Sequence, residues 1–561
     1  MLRCLTLFLA LLVWPLAGSP QSLALRGPVL AAASNFGQGW HPEILAAAAA
    51  LGVRDFRDEI YWERVEGPDR RYRFDQFMTA YPKMIGATGG TLSLLTGGGH
   101  PKFDGGDTPH SRDAVRAFGA MAAATAARSA AITSVEVGNE FNGDYFVSGP
   151  VRKTQGAERA AAYLALLQSS YRQIKQARPD VRVIGGSVLA IPAGYLQQVA
   201  DLNAAAFMDA LSIHPYTTKP QHLARQIAVL RRIPAFQTIP IEVTEYGDPD
   251  AATAPATLLK AYCQFALSGV TRFVWYPLSD RGDGLTPLLT SDGRTTDTGR
   301  AFAFVQHQLT GLPVQDVAPD PFVSACRFGP NRLVIWGAPR TLTLPPQARV
   351  FTATGAALDP APPRIDAARP VLIVSPDPIV VGENLLLGPT GIIADSEAQF
   401  VFPGGPVDPV RTDPFYRFTR RAGTETPMLT DPGQREPGSL WTPSLADPND
   451  SYIRLTESFL RPDGSAENPV EVVHRYTVPR DMVVDIHALW SLRPDMGDGV
   501  TVKVTLNAQP LAAELLRNSF AYNARRLALA KGDILEFAVG PNGNATGDLV
   551  DYHIRIQNPT E

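Results

Sequence analysis

The stretch SVEVGNEFN, at residues 134 to 142, joins an apolar, β-branched run to a polar end. The run predicts a buried strand, and Asn139 and Glu140 stand where that strand meets its loop. The stretch IPIEVTEYG, at residues 239 to 247, has the same form and stops at Glu245. Because parallel strands place their carboxyl ends at one edge of a sheet, we expect the two glutamates to lie on the same rim.

Eight such runs alternate with longer segments rich in Ala, Leu and charged residues between Val29 and His307. One of these segments, residues 157–177, has its apolar residues at helical spacing and is followed by Pro179. Eight strands with intervening helices in about 280 residues predict an α/β fold, the (β/α)8 TIM barrel. The eight runs cover residues 29–36, 53–56, 91–96, 134–140, 181–189, 208–216, 239–247 and 271–278.

The last positions of these runs are candidate site residues, because such barrels build their active site at the carboxyl ends of the strands. They are mostly polar or aromatic, as a sugar pocket requires, since hydroxyl groups need hydrogen-bond partners and a pyranose face stacks on an aromatic ring. Two carboxylates there suit glycosidic bond cleavage, in which one protonates the leaving oxygen and the other attacks or stabilises the anomeric carbon. The candidates are Asn35, Arg57, His100, Asn139, Glu140, His214, Tyr216, Glu245 and Trp275.

In these motifs the chain resembles the clan A retaining glycoside hydrolases, and it is most similar to family 39 and related bacterial polysaccharide-degrading enzymes. That clan has an Asn-Glu acid/base pair after strand 4 and a nucleophile glutamate at the end of strand 7, which Asn139-Glu140 and Glu245 match. The loops at residues 97–106 and 284–302 also have the look of family 39. One departure is Gly138, because the clan often has an aromatic residue at that position.

The resemblance implies a role for each residue around the two glutamates. Glu140 is expected to be the acid/base and Glu245 the nucleophile of a double displacement. An ion pair with Arg57 would keep Glu245 ionised, although Arg57 could instead fix a loop. Substrate-binding roles are implied for Arg57, His100, Asn139, His214, Tyr216 and Trp275, with a plain mobile loop around His100 and packing under a turn for His214 and Tyr216 as the alternatives.

Two further glutamates lie on the same strands. Glu136 has the side-chain parity of Glu140, so we expect it inside the barrel with a partner such as Arg57. Glu242 is expected to be structural and to face the helices or a neighbouring strand. The histidines do not cluster at ligand spacing, so we predict no metal, and the chemistry calls for no cofactor.

Beyond the barrel, which we assign to residues 25–310, the pattern changes to short strands. Residues 311–370 are predicted to form a small β accessory domain, with the Pro-rich residues 360–370 as a stiff connector. Residues 371–561 are predicted to form a jelly-roll β-sandwich, which resembles carbohydrate-binding domains.

Two sets of residues in this sandwich have open roles. The aromatic residues Trp441, Trp490 and Tyr522 either stack on sugars or fill the core. The second set consists of aspartates that either hold Ca²⁺ or serve as turn residues, namely Asp495, Asp498, Asp548 and Asp551.

Residues 1–24 have the pattern of a secretory signal peptide, with an early Arg3, an apolar run and small residues before the expected cleavage site. A membrane anchor is the alternative, but Trp14-Pro15 interrupts a run already shorter than the ~20 residues that span a bilayer. We expect a secreted or periplasmic protein without integral membrane association. Cys263 and Cys326 are expected to be buried free thiols, although export would permit a disulfide.

The composition is that of an ordinary globular protein, with 561 residues, 45% hydrophobic and 19% charged, and a formal net charge of -4. The sequence has no basic stripe, so we expect no nucleic-acid partner. We therefore predict a retaining hydrolase of a polysaccharide or oligosaccharide. The alternatives are a non-catalytic carbohydrate-binding or exopolysaccharide-assembly protein and a transglycosylase on the same barrel.

Overall fold

The structure, a computed structural model, describes residues 25–39, 41–361, 364–405, 410–435, 440–494 and 497–559. The predicted signal peptide and Asp495 lie outside these residues. Within the described ranges, no helix is both long and apolar enough to cross a membrane.

Eight parallel strands close into the predicted barrel. They are β1 Val29–Ala33, β2 Asp55–Tyr61, β3 Thr91–Gly97, β4 Ile132–Val137, β5 Arg182–Leu189, β6 Ala210–His214, β7 Ile241–Tyr246 and β8 Val270–Trp275. The strands follow one another in sequence order, and β8 pairs back onto β1. Most of their residues are buried, because a parallel barrel is covered by helices outside and filled by side chains inside. The fold prediction is confirmed.

Helices between the strands form the outer layer. They are α1 Pro42–Ala50, α2 Trp62–Val65, α3 Tyr81–Ala87, α4 Arg112–Ala126, α5 Gly149–Arg152, α6 Gly156–Ala177, α7 Ala193–Asp201, α8 Pro220–Leu230, α9 Ala254–Leu267 and α10 Asp297–Gln308. The helix predicted over 157–177 is α6. Side-chain caps begin two of the helices, since Ser111 accepts the N–H of Ala114 before α4 and Thr296 accepts that of Gly299 before α10.

The small β-domain extends beyond its predicted boundary at residue 370. Its strands are β9 Val314–Asp316, β10 Val323–Phe328, β11 Arg332–Gly337, β12 Leu342–Thr343, β13 Arg349–Phe351, β14 Ala357–Leu358, β15 Val371–Val374 and β16 Leu386–Leu387. Strand β15 lies between β11 and β13, and β16 pairs with β12. The chain after 370 therefore returns to the same domain, so residues 360–370 are not a connector between domains.

Two antiparallel sheets form the predicted C-terminal sandwich. Their strands are β17 Ile392–Asp395, β18 Phe415–Arg421, β19 Thr424–Pro427, β20 Leu429–Asp431, β21 Ser444–Asp447, β22 Asp450–Leu455, β23 Phe459–Arg461, β24 Asp463–Gly464, β25 Pro469–Thr477, β26 Met482–Leu492, β27 Val500–Leu506, β28 Gln509–Leu516, β29 Ser519–Leu529, β30 Ile534–Pro541 and β31 Val550–Gln557. One sheet has the order β20-β21-β22-β23-β31-β26-β29, and the other has the order β19-β18-β25-β30-β27-β28. Trp490 is 1% exposed and belongs to the core between them.

A disulfide joins Cys263 on α9 to Cys326 on β10, with the two Cα atoms 5.9 Å apart. The expectation of free thiols is therefore wrong. The two cysteines are 63 residues apart in sequence, and they meet because α9 packs directly on the first strands of the small β-domain. The bond ties that domain to the barrel wall.

The sandwich also contacts the barrel, through α8 and the loop after β4. Glu397 accepts hydrogen bonds from Gln221 and His222 at the start of α8. Asn142 and Gln434 exchange two hydrogen bonds, from Asn142 Nδ2 to the Gln434 side chain (2.6 Å) and from Gln434 Nε2 to the Asn142 carbonyl (2.8 Å). The sandwich therefore holds the loop that carries Glu140.

Candidate active site

Glu140 lies in a tight turn directly after β4. Gly138 has φ +76° and Glu140 has φ +42°, both in the left-handed region. The turn is fixed by hydrogen bonds from the Gly138 N–H to Thr96 (2.9 Å) and from the Phe141 N–H to Ser187 (3.1 Å). This backbone explains the glycine at position 138, because a side chain is strained at such a φ. The non-glycine residue Glu140 bears that strain itself.

Glu245 lies on β7 and is held by two donors. Nη1 of Arg57 donates to its Oε1 (2.6 Å), and the Tyr216 hydroxyl donates to its Oε2 (2.8 Å). Burial alone would raise the pKa of Glu245, but the charges of Arg57 and His214 and the bond from Tyr216 bring that pKa below its ordinary value. Glu245 is therefore ionised at neutral pH, as a nucleophilic carboxylate must be.

Arg57 on β2 connects the nucleophile candidate to the barrel interior. Its Nε donates to Glu136 Oε2 (2.8 Å), and its Nη2 donates to Asn139 Oδ1 (3.3 Å). Glu136 has no exposed surface and also accepts hydrogen bonds from the hydroxyls of Ser212 (2.5 Å) and Thr244 (2.9 Å). The pairing of Glu136 with Arg57 is confirmed, and every donor on Glu136 favours its charged form.

His214 at the end of β6 links the two glutamates. Its Nδ1 is 3.0 Å from Glu140 Oε1 and 4.0 Å from Glu245 Oε1, and its Nε2 is 2.9 Å from the Thr244 hydroxyl. Burial would lower the pKa of His214, but the negative charges of Glu245, Glu136 and Glu140 raise it to about 9. The imidazole is therefore protonated at neutral pH and donates to Glu140.

One side-chain ligand atom from each of Glu140, His214 and Glu245 lies within 4.8 Å of the others. The two carboxylates therefore lie close together at the same rim of the barrel. Both ring nitrogens of His214 are already hydrogen-bonded, and Arg57 sits on Glu245 Oε1. A divalent cation would have to displace these donors, so the arrangement favours a charged hydrogen-bond network over a metal centre.

Two residues with predicted substrate-binding roles, Trp275 and His100, are buried. Trp275 has no exposed surface, and its Nε1 donates to the Thr286 carbonyl (3.0 Å), so its ring face is closed to a sugar and the predicted stacking is corrected. His100 is 3% exposed, contacts the Glu66 carbonyl (3.2 Å) through Nε2, and accepts the Lys102 N–H through Nδ1. Its ring packs on Trp62, which favours the role of fixing the loop after β3.

Two residues near Glu245, Glu59 and Tyr276, are not among the candidates that the sequence pattern indicates. Glu59 follows Arg57 by two positions on β2, and burial with the charge of Asp58 raises its pKa to about 7. The period of two along a strand is the signal that could have found it. Tyr276 lies directly after β8 and is half-buried. Burial is the main cause that raises its pKa above the ordinary value, and the negative charge of Glu245 adds to the rise.

Comparisons with known proteins bear on the fold. No protein-family model matches the sequence, and no curated protein matches it. Among solved structures, a family 39 glycoside hydrolase from the gut symbiont Bacteroides cellulosilyticus WH2 superposes with a TM-score of 0.51 at 17% identity, over 63% of this chain and 81% of that chain. The chain shares that fold.

Two further structures superpose with lower scores, which add nothing to the fold assignment. One is a glycoside hydrolase family 30 subfamily 8 xylanase from Clostridium acetobutylicum, with a TM-score of 0.45 at 15% identity, over 63% of this chain and 97% of that one. The other is a family 39 β-xylosidase from Caulobacter crescentus, with a TM-score of 0.44 at 18% identity, over 64% and 98% of the two chains.

A cavity of about 680 Å³ lies between the barrel and the sandwich, and Thr217, one residue after Tyr216, is part of its lining. Trp441 forms part of its wall and reaches the loop of Glu140. A β-carbon at Gly143 would lie 3.2 Å from the Trp441 ring and 3.4 Å from the Glu140 carbonyl oxygen. On the same loop Tyr145 is 88% exposed. The loop that carries Glu140 therefore has one aromatic side chain packed against it, Trp441, and one exposed on it, Tyr145.

Proposed function

We propose that the protein is a retaining glycoside hydrolase that acts on a polysaccharide or oligosaccharide. The observation that carries the proposal is the approach of Glu140 and Glu245 to within 4.8 Å, measured between one oxygen of each. Retaining enzymes hold their two carboxyl groups about 5 to 5.5 Å apart, whereas inverting enzymes need about 6.5 to 9.5 Å to admit a water molecule. The short gap thus supports double displacement.

In the first step of the proposed mechanism, Glu245 attacks the anomeric carbon while the bond to the leaving oxygen breaks. The leaving oxygen takes its proton from Glu140. Since Oε1 of Glu140 accepts the N–H of His214, the proton to be delivered is assigned to Oε2. The products of this step are a covalent glycosyl-enzyme on Glu245 and the released alcohol.

In the second step, Glu140 is ionised and removes a proton from a water molecule. The resulting hydroxide attacks the anomeric carbon, the bond to Glu245 breaks, and the sugar leaves with its original configuration. Glu140 thereby regains its proton and Glu245 its charge. His214 donates to Glu140 throughout, and it stabilises the carboxylate form that Glu140 adopts between the two steps.

Arg57 and Tyr216 are assigned to the nucleophile. Both donate to Glu245 before the attack, which keeps the carboxylate ionised and orients its oxygens. When one of those oxygens becomes bonded to carbon, the negative charge on Glu245 is lost, and Arg57 keeps its second carboxylate, Glu136, as a partner. The site therefore retains a paired arginine in both states.

The cavity beside the sandwich supports a substrate longer than one sugar. It lies next to the loop of the proton donor, and Trp441 and Tyr145 offer aromatic surface of the kind on which sugars stack. We also propose that the protein is exported, on the strength of the pattern in residues 1–24.

A screen of the purified protein against an array of polysaccharides and aryl glycosides tests the proposal, with Glu245→Gln as the matched control. We expect the wild type to release reducing sugars from at least one substrate and the variant to be slower by about 10⁴-fold or more. Equal activity of the two proteins would contradict the assignment of Glu245. Transfer to an added sugar acceptor in place of hydrolysis would indicate a transglycosylase, and carbohydrate binding without turnover would indicate a non-catalytic protein.

A further inference from the structure

Two loops at one end of the sandwich bring together a second pair of acidic residues, Asp498 and Asp548. Asp548 has no exposed surface, and within the described residues neither of its carboxylate oxygens has a hydrogen-bond partner. Oδ1 of Asp498 is also buried and without a partner. Three carboxylate oxygens are thus shielded from water without a donor, which is costly for a folded protein unless another group satisfies them.

The loops are shaped to hold these carboxylates in place. The backbone N–H and Nδ2 of Asn544 both donate to Asp498 Oδ2, at 3.2 and 3.0 Å, and this leaves Oδ1 free. A β-carbon at Gly497, where φ is +66°, would overlap Asp548 Oδ1, and one at Gly543 would lie 2.5 Å from Asp498 Oδ2. Glycine is required at both positions for the two backbones to approach the carboxylates so closely.

Among the described residues, no positive side chain pairs with either aspartate. In the part of the chain that the structure describes, neither aspartate forms an ion pair, and Arg493 is instead paired with the exposed Asp551 (2.8 Å). Among the described residues, three carboxylate oxygens of the site therefore meet neither a cation nor a hydrogen-bond donor.

We propose that a Ca²⁺ ion binds between Asp498 and Asp548, with the remaining ligands supplied by backbone carbonyls and water. Ca²⁺ is a hard cation that takes six to eight oxygen ligands in flexible geometry, and carboxylates with carbonyls are its usual protein donors. Zinc and copper would call for imidazole or thiolate ligands, and neither aspartate contacts such a group among the described residues.

The position of this pair gives the ion a structural role. Asp498 lies in the connection between β26 and β27, and Asp548 lies in the connection between β30 and β31. Each connection joins the two sheets of the sandwich, because β26 and β31 belong to one sheet while β27 and β30 belong to the other. An ion held by both aspartates therefore clamps the sheets at one end, and its binding free energy adds to the stability of the folded sandwich.

Calcium titration of the full-length protein, freed of metal with EDTA, tests the proposal. We expect one Ca²⁺ per chain by calorimetry and a rise of several degrees in the unfolding temperature of the sandwich at millimolar CaCl₂. MgCl₂ at the same concentration should give a smaller rise, because Mg²⁺ demands stricter octahedral geometry. Asp548→Asn should lose both calcium effects, whereas the matched control Asp551→Asn should keep them.

Two outcomes would overturn the proposal. The first is an unfolding temperature and a heat signal that CaCl₂ does not change in the wild-type protein, since this measurement needs no variant. The second is a calcium response that survives both Asp548→Asn and Asp498→Asn. The result is independent of the proposed enzymatic activity, because hydrolysis of a short aryl glycoside is expected to be the same in Asp548→Asn and in the wild type.

Discussion

Two pairs of acidic residues, one on the barrel rim and one in the sandwich loops, have opposite surroundings. Glu140 and Glu245 are met by His214, Arg57 and Tyr216, so the protein itself supplies the positive charge and the donors. Asp548 is buried and Asp498 is half-buried, and three of their four carboxylate oxygens have no hydrogen-bond partner among the described residues. Closely placed carboxylates therefore do not define a function by themselves. A pair whose counter-charges are built in is ready for proton transfer and attack, whereas a pair without them is ready for a cation.

The largest effect should separate the two pairs by activity. Glu140→Gln removes the proton donor, so we expect kcat for substrates with poor leaving groups to fall by about 10² to 10⁴-fold. Aryl glycosides with acidic leaving groups need no proton, and their first step should be nearly unaffected. Steady-state and burst kinetics on both substrate types check this. An equal loss of turnover in Asp548→Asn and Glu140→Gln would contradict the assignment of different roles to the two pairs.

A second variant would remove the positive charge beside Glu245, so that the barrel carboxylates would lack a cation as the sandwich pair does. Arg57→Met leaves Glu136 and Glu245 buried without their cation, so we expect a loss of about 3 to 5 kcal/mol in the free energy of unfolding. Denaturant unfolding measures it.

The matched control for that variant is Arg182→Met. Arg182 pairs with Glu242, which keeps Arg272 as a second partner at 3.5 Å, in agreement with a structural role for Glu242. This control should lose less stability and retain activity. Equal losses in the two variants would show that Arg57 is no more than one of several structural arginines.

The pH dependence of stability sharpens the contrast further. The pKa of His214 is raised from 6.5 to about 9 in the folded protein, so its protonation stabilises the fold fully below pH 6.5. That contribution is lost as the pH rises through about 9. Between pH 6.5 and pH 9, the free energy of unfolding of the wild type should therefore fall relative to that of His214→Gln. The control His307→Gln, at an exposed histidine, should show the same pH dependence as the wild type. If the free energy of unfolding of His214→Gln had the same pH dependence as that of the wild type, the charged network around His214 would be contradicted.

The smallest effect concerns the contact between the two regions. Trp441→Ala should lower kcat/KM for long oligosaccharides by about 2- to 10-fold, as expected for one lost aromatic contact of about 0.5 to 1.5 kcal/mol. Activity on a short aryl glycoside should not change. Tyr416→Ala, at a half-exposed aromatic residue on β18, is the control and should leave both activities unchanged. Equal losses on short and long substrates for Trp441→Ala would refute a role in substrate length.

The features predictable from the sequence were those encoded in local patterns. Alternating apolar runs gave the eight barrel strands, and the polar ends of those runs led to Arg57, Glu140 and Glu245, which the structure places together. The disulfide and the domain boundary depend on contacts between distant segments, namely α9 with β10 and β15 with β11. The full burial of Trp275 and the partial burial of Tyr276 follow from packing that no local pattern contains.

The anomeric configuration of the first product distinguishes a double displacement through Glu245 from a single displacement. Proton NMR of the reaction with the substrate cleaved fastest in the screen shows the anomeric form of the released sugar before it equilibrates in water. Attack by Glu245 followed by attack of water predicts that the product first appears with the configuration of the substrate. Initial appearance of the opposite anomer would require a single displacement and would contradict the assignment of Glu245 as nucleophile.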